Sequence, residues 1–147
     1  MNTHIERVRQ FDKNTLNHLF KSAGEEDADF NSNFFEDEKN IFLVSHTEDK
    51  LSGFLWAYVL QSPHTPYPKM FLYSIDVFGE FRRQGIANQL IRELKIIAQT
   101  YKCRAMFVPT SKSNKAAMGL YRKSLGKIEN DDDVIFTYDK EALERLV

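Results

Sequence analysis

Val77-Phe78-Gly79-Glu80-Phe81-Arg82-Arg83-Gln84-Gly85-Ile86-Ala87 decides how the rest of the chain reads. The run before it, Lys69 to Val77, reads as a strand. After it, Ile86, Ala87, Leu90, Ile91, Leu94, Ile97, Ala98 and Tyr101 recur at helical spacing, with Gln89, Arg92, Glu93 and Lys95 opposite. Ile86 to Tyr101 is therefore expected to be a long amphipathic helix. A strand thus passes through a short loop into the open end of a helix, where the first N–H groups lack partners and carry the positive end of the dipole. Gly85 and Ala87 remove bulk that would keep a ligand from those donors. Arg82 and Arg83 are unfavourable there for the helix alone, and their presence makes sense with an anion between them. The combination suits a diphosphate. The chain has neither G-x-x-x-x-G-K-[ST] nor G-x-G-x-x-G with an acid about 20 residues on, which argues against the two common nucleotide-binding loops.

Upstream, His4 to Gln10 reads as a strand, and Asp12 can cap a helix through about Ala23. Residues 25–38 hold seven acids and no base, and the spacing of Phe30 and Phe34 suits a short helix. Ile41 to Ser45 and Leu51 to Gln61 read as strands around a turn at His46 to Lys50, and the Pro-rich stretch Ser62 to Pro68 as a long loop. Downstream, Arg104 to Val108 is a strand and Asn114 to about Leu125 a helix closed by Gly126. Lys127 to Glu129 and Val134 to Tyr138 read as a last hairpin across Asn130 to Asp133. The expected class is mixed α/β (α+β): one domain over residues 1–147, with a mostly antiparallel sheet of about seven strands and about four helices.

Composition agrees with a folded domain: 147 residues, 42% hydrophobic and 28% charged. The net charge of −1 argues against a nucleic-acid partner, but it is unevenly spread. Residues 1–80 carry seven Lys/Arg and thirteen Asp/Glu; residues 81–147 carry thirteen and eight. Between 81 and 127, eleven basic residues face one acid, Glu93, which suits a compact polyanion. No basic face interleaved with aromatics points to nucleic acid. No apolar run approaches the roughly 20 residues that cross a bilayer, and the first residues lack a leader pattern. With Cys103 as the sole cysteine, a cytoplasmic protein is expected. His4, His18, His46 and His64 show no metal-ligand spacing, so no metal is expected.

Arg82 to Ala87 resembles the acetyl-CoA signature of the GNAT acetyltransferase superfamily, and Asn114, Ala117 and Leu120-Tyr121 look like its second motif. Between about Phe34 and Asp139, Tyr58-Val59-Leu60, Gly79-Glu80, Arg82 to Ala87 and Leu120-Tyr121 are similar to the aminoglycoside 3-N-acetyltransferases. The resemblance implies transfer of an acetyl group from acetyl-CoA to a primary amine of a small cationic acceptor, aminoglycoside-like or polyamine-like. It implies that backbone groups of Ile75 and Val77 hold the pantetheine. The N–H groups of Arg83, Gln84, Gly85, Ile86 and Ala87 would hold the diphosphate, assisted by Arg82 and Arg83, and Asn114 would meet the cofactor arm. Tyr121 would stand near the sulfur as a hydrogen-bond donor, which a phenol of pKa about 10 can supply at neutral pH. Phe34 and Tyr73 are candidates for the acceptor wall. The resemblance also implies a possible homodimer.

Two departures from that pattern stand out. Gly126 follows Tyr121 one residue later than is usual in the superfamily. Regular alternation also turns Phe71, Tyr73, Ile75 and Val77 toward the acceptor, and none of these is a base. The base is then Asp76 reached through a distortion, Glu80, His64, an acid from residues 25–38, or water. The same chemistry on a protein or peptide amine, and a non-catalytic acyl-CoA-binding module, are the alternatives.

Overall fold

Two tight hairpins build most of the sheet. In the computed structural model, which describes residues 2–25 and 29–146, Glu48 and Asp49 take φ of 49° and 65° and form a two-residue turn. Positive φ at both positions matches the twist of paired strands. The turn joins β2 (Asn40–Thr47) to β3 (Lys50–Ser62), with Thr47 opposite Lys50. The second hairpin corrects the sequence reading. Ser62 pairs with Thr65, so only Pro63 and His64 lie between β3 and β4 (Thr65–Val77). Pro66 and Pro68 sit inside the strand. Pro68 turns its backbone away from β3, and its carbonyl accepts the Arg104 N–H at 2.9 Å, so the missing proline N–H costs the β3–β4 ladder nothing.

β1 (Thr3–Arg7) lies antiparallel to β2, and β5 (Ala105–Phe107) parallel to β4, in the order β1-β2-β3-β4-β5. The helices are α1 (Lys13–Ser22), α2 (Ile86–Thr100), α3 (Lys115–Lys123) and α4 (Lys140–Glu144). Asp12 caps α1 as expected, accepting from Asn14 and Thr15 N–H. α2 buries Ile86, Leu90, Ile91 and Leu94 against the sheet. The opposite face carries Phe42, Phe54 and Trp56. Phe20 of α1 covers it, 5.1 Å from Phe54 and 5.8 Å from Trp56 between ring centroids. The 3-10 turn Ser32–Glu36 adds Phe34 and Phe35 to the same side, where a short helix containing Phe30 was expected. Part of that expected segment, residues 26–28, lies outside the described residues.

A β-bulge in the β3–β4 pair sets up the site. Ala57 pairs with Leu72, but Trp56 pairs with Ser74, leaving Tyr73 as the extra residue. One inserted residue reverses the facing of everything beyond it. Directly paired residues share a face, so Ser74 (opposite Trp56) and Asp76 (opposite Phe54) join Phe71 (opposite Tyr58) on the aromatic side. Ile75, opposite Leu55, turns to the α2 side. The expected alternation of Phe71, Tyr73, Ile75 and Val77 on one face is corrected accordingly.

Among the described residues the sheet has five strands where about seven were expected. Lys127 to Glu129 and Val134 to Tyr138 form no ladder. Asn130 to Asp133 does turn, with Asp133 N–H donating to Asn130 O at 3.3 Å. A strand pattern becomes a strand only against a neighbour, and the turn does not bring its two flanks together.

Candidate active site

β4 and β5 pair only from Lys69–Phe71 to Ala105–Phe107. Beyond Phe71 the strands part, and β4 from Leu72 to Val77 has an unpaired side. Phe78 donates its N–H to Ser52 O at 2.9 Å, toward β3. By antiparallel alternation, Val77 and Ile75 therefore turn their backbone groups away from β3, into the opening. Those are the two residues expected to hold the pantetheine.

The loop at the end of β4 begins with a 3-10 turn, Gly79–Phe81, anchored by buried Phe81. Arg83 and Gly85 are both left-handed, with φ of 63° and 79°. Such turns gather successive N–H groups into an anion-binding concavity. Gly85 is the N-cap of α2 and offers no side chain to its first turn. Gln89 N–H donates to Gly85 O at 3.1 Å, and the N–H groups of Ile86, Ala87 and Asn88 precede that first helical bond. A Cβ placed on Gly85 meets nothing within 4 Å, so the concavity is open there. Gln84 folds back toward the Glu80 carbonyl.

The two arginines divide. Arg82 turns back to β4: its Nε donates to Val77 O at 2.9 Å, and its Nη2 lies 3.7 Å from Asp76 Oδ1. It braces the strand end. Exposed Arg83 remains the cation beside the concavity. Burial pushes the Asp76 carboxyl above its ordinary range, while the Arg82 charge and the Val77 N–H pull it back down. Asp76 is thus a partly desolvated acid with a cationic partner, on the face that also carries the exposed aromatics.

Those aromatics form a continuous shelf. Tyr73 is 56% exposed. Its ring stacks on Trp56 at 5.5 Å and meets Phe71 and Tyr58 edge-on at 5.5 and 5.9 Å. Phe71 stacks on Phe107 of β5 at 4.8 Å. Phe34 joins through Tyr58, at 6.0 Å. The structure thus brings Phe34, Tyr73 and Asp76 to one side of the sheet. His64, in the β3–β4 turn, is at the far end of a strand roughly 40 Å long, which removes it as a base. Glu80 lines a separate hollow with His18 and His46.

Asn114 is the N-cap of α3, its Oδ1 accepting from Ala117 N–H at 3.1 Å. Tyr121 is half-buried within regular α3, and burial pushes its phenol above the ordinary value. The late glycine has a local solution. Leu125 takes the left-handed position at φ 75°, and Gly126 N–H reaches back to Tyr121 O at 2.7 Å. A Cβ on Gly126 would stand 2.9 Å from that carbonyl.

Sequence reasoning missed Gly53. A Cβ there would fall 2.6 Å from the Asp76 carbonyl and 3.2 Å from Val77 Cα. The glycine lets β4 lie close to β3 at the end that borders the opening. A glycine inside an apolar strand was the available signal.

A model of the acetyltransferase (GNAT) family matches residues 5–126. Human N-acetyltransferase 8B is 29% identical over 99 residues, covering 67% of this chain and 43% of that protein. The N-terminal acetyltransferase A complex catalytic subunit ard1 of Schizosaccharomyces pombe is 25% identical over 85 residues, covering 57% and 48%. The chain thus spans less than half the length of these relatives. Among solved structures, the aminoglycoside acetyltransferase meta-AAC0020 from an uncultured soil metagenomic sample, in complex with sisomicin, superposes with a TM-score of 0.79 at 22% identity, over 94% of this chain and 95% of that one. Aminoglycoside acetyltransferase AAC(6')-Iy, bound to a CoA bisubstrate analogue, gives 0.73 at 22% identity, over 93% and 99%. These likenesses establish the mixed α/β fold.

Proposed function

Because the chain belongs to the GNAT acetyltransferase family, we propose that it moves an acetyl group from acetyl-CoA to the primary amine of a small cationic acceptor. The observation that carries this is the meeting of three features at one place: the unpaired side of β4, the left-handed loop at Arg83 and Gly85, and the open end of α2. The opening suits an amide-bearing arm, which Ile75 and Val77 bind as a strand-like partner, the Val77 carbonyl being shared with Arg82 Nε. The concavity and Arg83 suit a diphosphate. Asn114 keeps its amide N–H groups for the arm while its oxygen caps α3.

Acetyl-CoA supplies an activated acyl group, and the chain's residues do the rest. Asp76 accepts the proton that the acceptor nitrogen sheds as it attacks. Burial makes Asp76 a stronger base than an exposed aspartate, and Arg82 holds it in place and ionised. The Tyr121 hydroxyl donates to the departing sulfur. Its raised pKa keeps that proton available throughout the neutral range. The exposed ring of Tyr73, with Phe34 at the edge of the same shelf, packs against the acceptor's cationic body.

A peptide amine is the second reading, favoured by the match to ard1. Free-thiol release from acetyl-CoA is the test, with polyamines, aminoglycosides and short peptides offered side by side. Small amines are expected to turn over fastest. Faster turnover of peptides would select the second reading. No thiol release with any amine, while CoA still binds, would leave a non-catalytic acyl-CoA-binding module.

A further inference from the structure

We propose that the acceptor is a primary arylalkylamine, its ring laid on Tyr73 and its nitrogen at Asp76. The inference rests on the reading of Asp76 as the proton acceptor and names the body that carries the amine. Tyr73 is the residue inserted by the β3–β4 bulge, and its ring stands on the aromatic side of the sheet. One face of that ring lies against Trp56, inclined by only 21°. Phe71 and Tyr58 meet it at 64° and 89° and fix its edges. More than half of Tyr73 is nevertheless open to solvent. A ring held by three others and left uncovered is a preorganised surface for a further ring, with little freedom left to lose on contact.

Charge along β4 selects against a polyamine or an aminoglycoside. Phe71 pairs with Tyr58, so Lys69, two residues earlier, shares the aromatic face. From Asp76 back to Lys69 that face carries Ser74, Tyr73 and Phe71: a carboxylate at one end, an ammonium at the other, and rings with one hydroxyl between. Among the described residues Lys69 has no acidic partner. A single amine finds Asp76. A second ammonium lying along the strand finds no carboxylate, gives up water against the rings and then meets Lys69. The spacing also bounds the linker. Three residues from Tyr73 to Asp76 span roughly 10 Å. A hydrogen bond at the carboxylate takes up about 3 Å of this, and a ring contact about 3.5–4 Å. The remainder fits a short alkyl chain between ring and nitrogen.

The test compares kcat/KM, by thiol release from acetyl-CoA, for phenethylamine, ethylamine, spermidine and an aminoglycoside. Phenethylamine is expected to lead, by about 10²-fold over ethylamine. Tyr73→Ala should cut that phenethylamine-to-ethylamine ratio by about tenfold, chiefly through KM, and Tyr73→Phe should restore it, because the ring and not the hydroxyl makes the contact. Trp56 is the sole tryptophan and lies under Tyr73. Its fluorescence should change saturably when phenethylamine is titrated into the CoA-saturated protein, and not with spermidine. A higher kcat/KM for spermidine or the aminoglycoside, a ratio that Tyr73→Ala leaves in place, or a Trp56 signal blind to phenethylamine would each overturn the ring site while acetyl transfer stands. Thiol release with no amine would instead overturn the functional reading, and the Trp56 titration would then decide the ring site alone.

Discussion

Gly53→Ala should damage both the stability and the chemistry of this protein, although residue 53 touches no substrate. The added Cβ would sit 2.6 Å from the Asp76 carbonyl and 3.2 Å from Val77 Cα. Ordinary contact needs about 3.4 Å or more, so β3 and β4 must part by roughly 0.5–1 Å; such overpacking costs about 1–3 kcal/mol. That corresponds to a Tm lower by about 2–4 °C for each kcal/mol. The same displacement moves Asp76 and the Ile75–Val77 backbone, and a misplacement near 1 Å costs on the order of 10²-fold in rate. Denaturant unfolding measures the first effect and acetyl-CoA turnover the second. Gly79→Ala is the control: its φ is not positive and its Cβ would meet nothing within 4 Å. If Gly53→Ala matched wild type in both assays, the close approach of β4 to β3 would not be what positions Asp76.

Asp76→Asn should lower kcat by about 10²–10⁴-fold, measured by thiol release, since it removes the proposed base. Because burial raises the Asp76 pKa, kcat should fall on acidification with an inflection above the ordinary 3.8. Arg82→Gln, which removes the stabilising charge, should move that inflection further up. The linked stability has the opposite slope. A carboxyl with a raised folded pKa contributes stability below its unfolded pKa and loses it as pH rises through the folded value. Tyr121→Phe should cost about 10²-fold in kcat with unchanged CoA affinity by calorimetry; equal loss of both would assign the residue to packing. Leu125→Gly should stabilise the chain by about 0.5–1 kcal/mol in denaturant unfolding. It relieves a left-handed leucine that is 87% exposed and so loses little packing.

The parts legible from sequence were those set by local rules. The stripe Ile86 to Tyr101 specifies α2, Asp12 caps α1, and the order of strand, loop and helix around Arg82 to Ala87 locates the concavity. What stayed hidden depended on neighbours. Lys69 to Val77 carries apolar residues at both parities, so nothing in it marks Tyr73 as the inserted residue; only pairing with β3 does so. Prolines usually punctuate a chain, and Ser62 to Pro68 hid a two-residue turn because Pro68 faces the β5 side. Val134 to Tyr138 has strand character in its residues but pairs with no strand among the described residues. The division of labour between Arg82 and Arg83 was equally invisible, since it follows from where Val77 O and Asp76 lie once β4 has formed.

The central claim is that a pyrophosphate-bearing thioester carrier lies along the β4 edge and against the opening turn of α2. Titrating CoA into ¹⁵N-labelled protein tests it most directly. The largest amide shifts should fall on residues 83–88 and on Ile75 and Val77, with α1 and β1 almost unmoved. Shifts centred elsewhere, or none at saturating CoA, would contradict it.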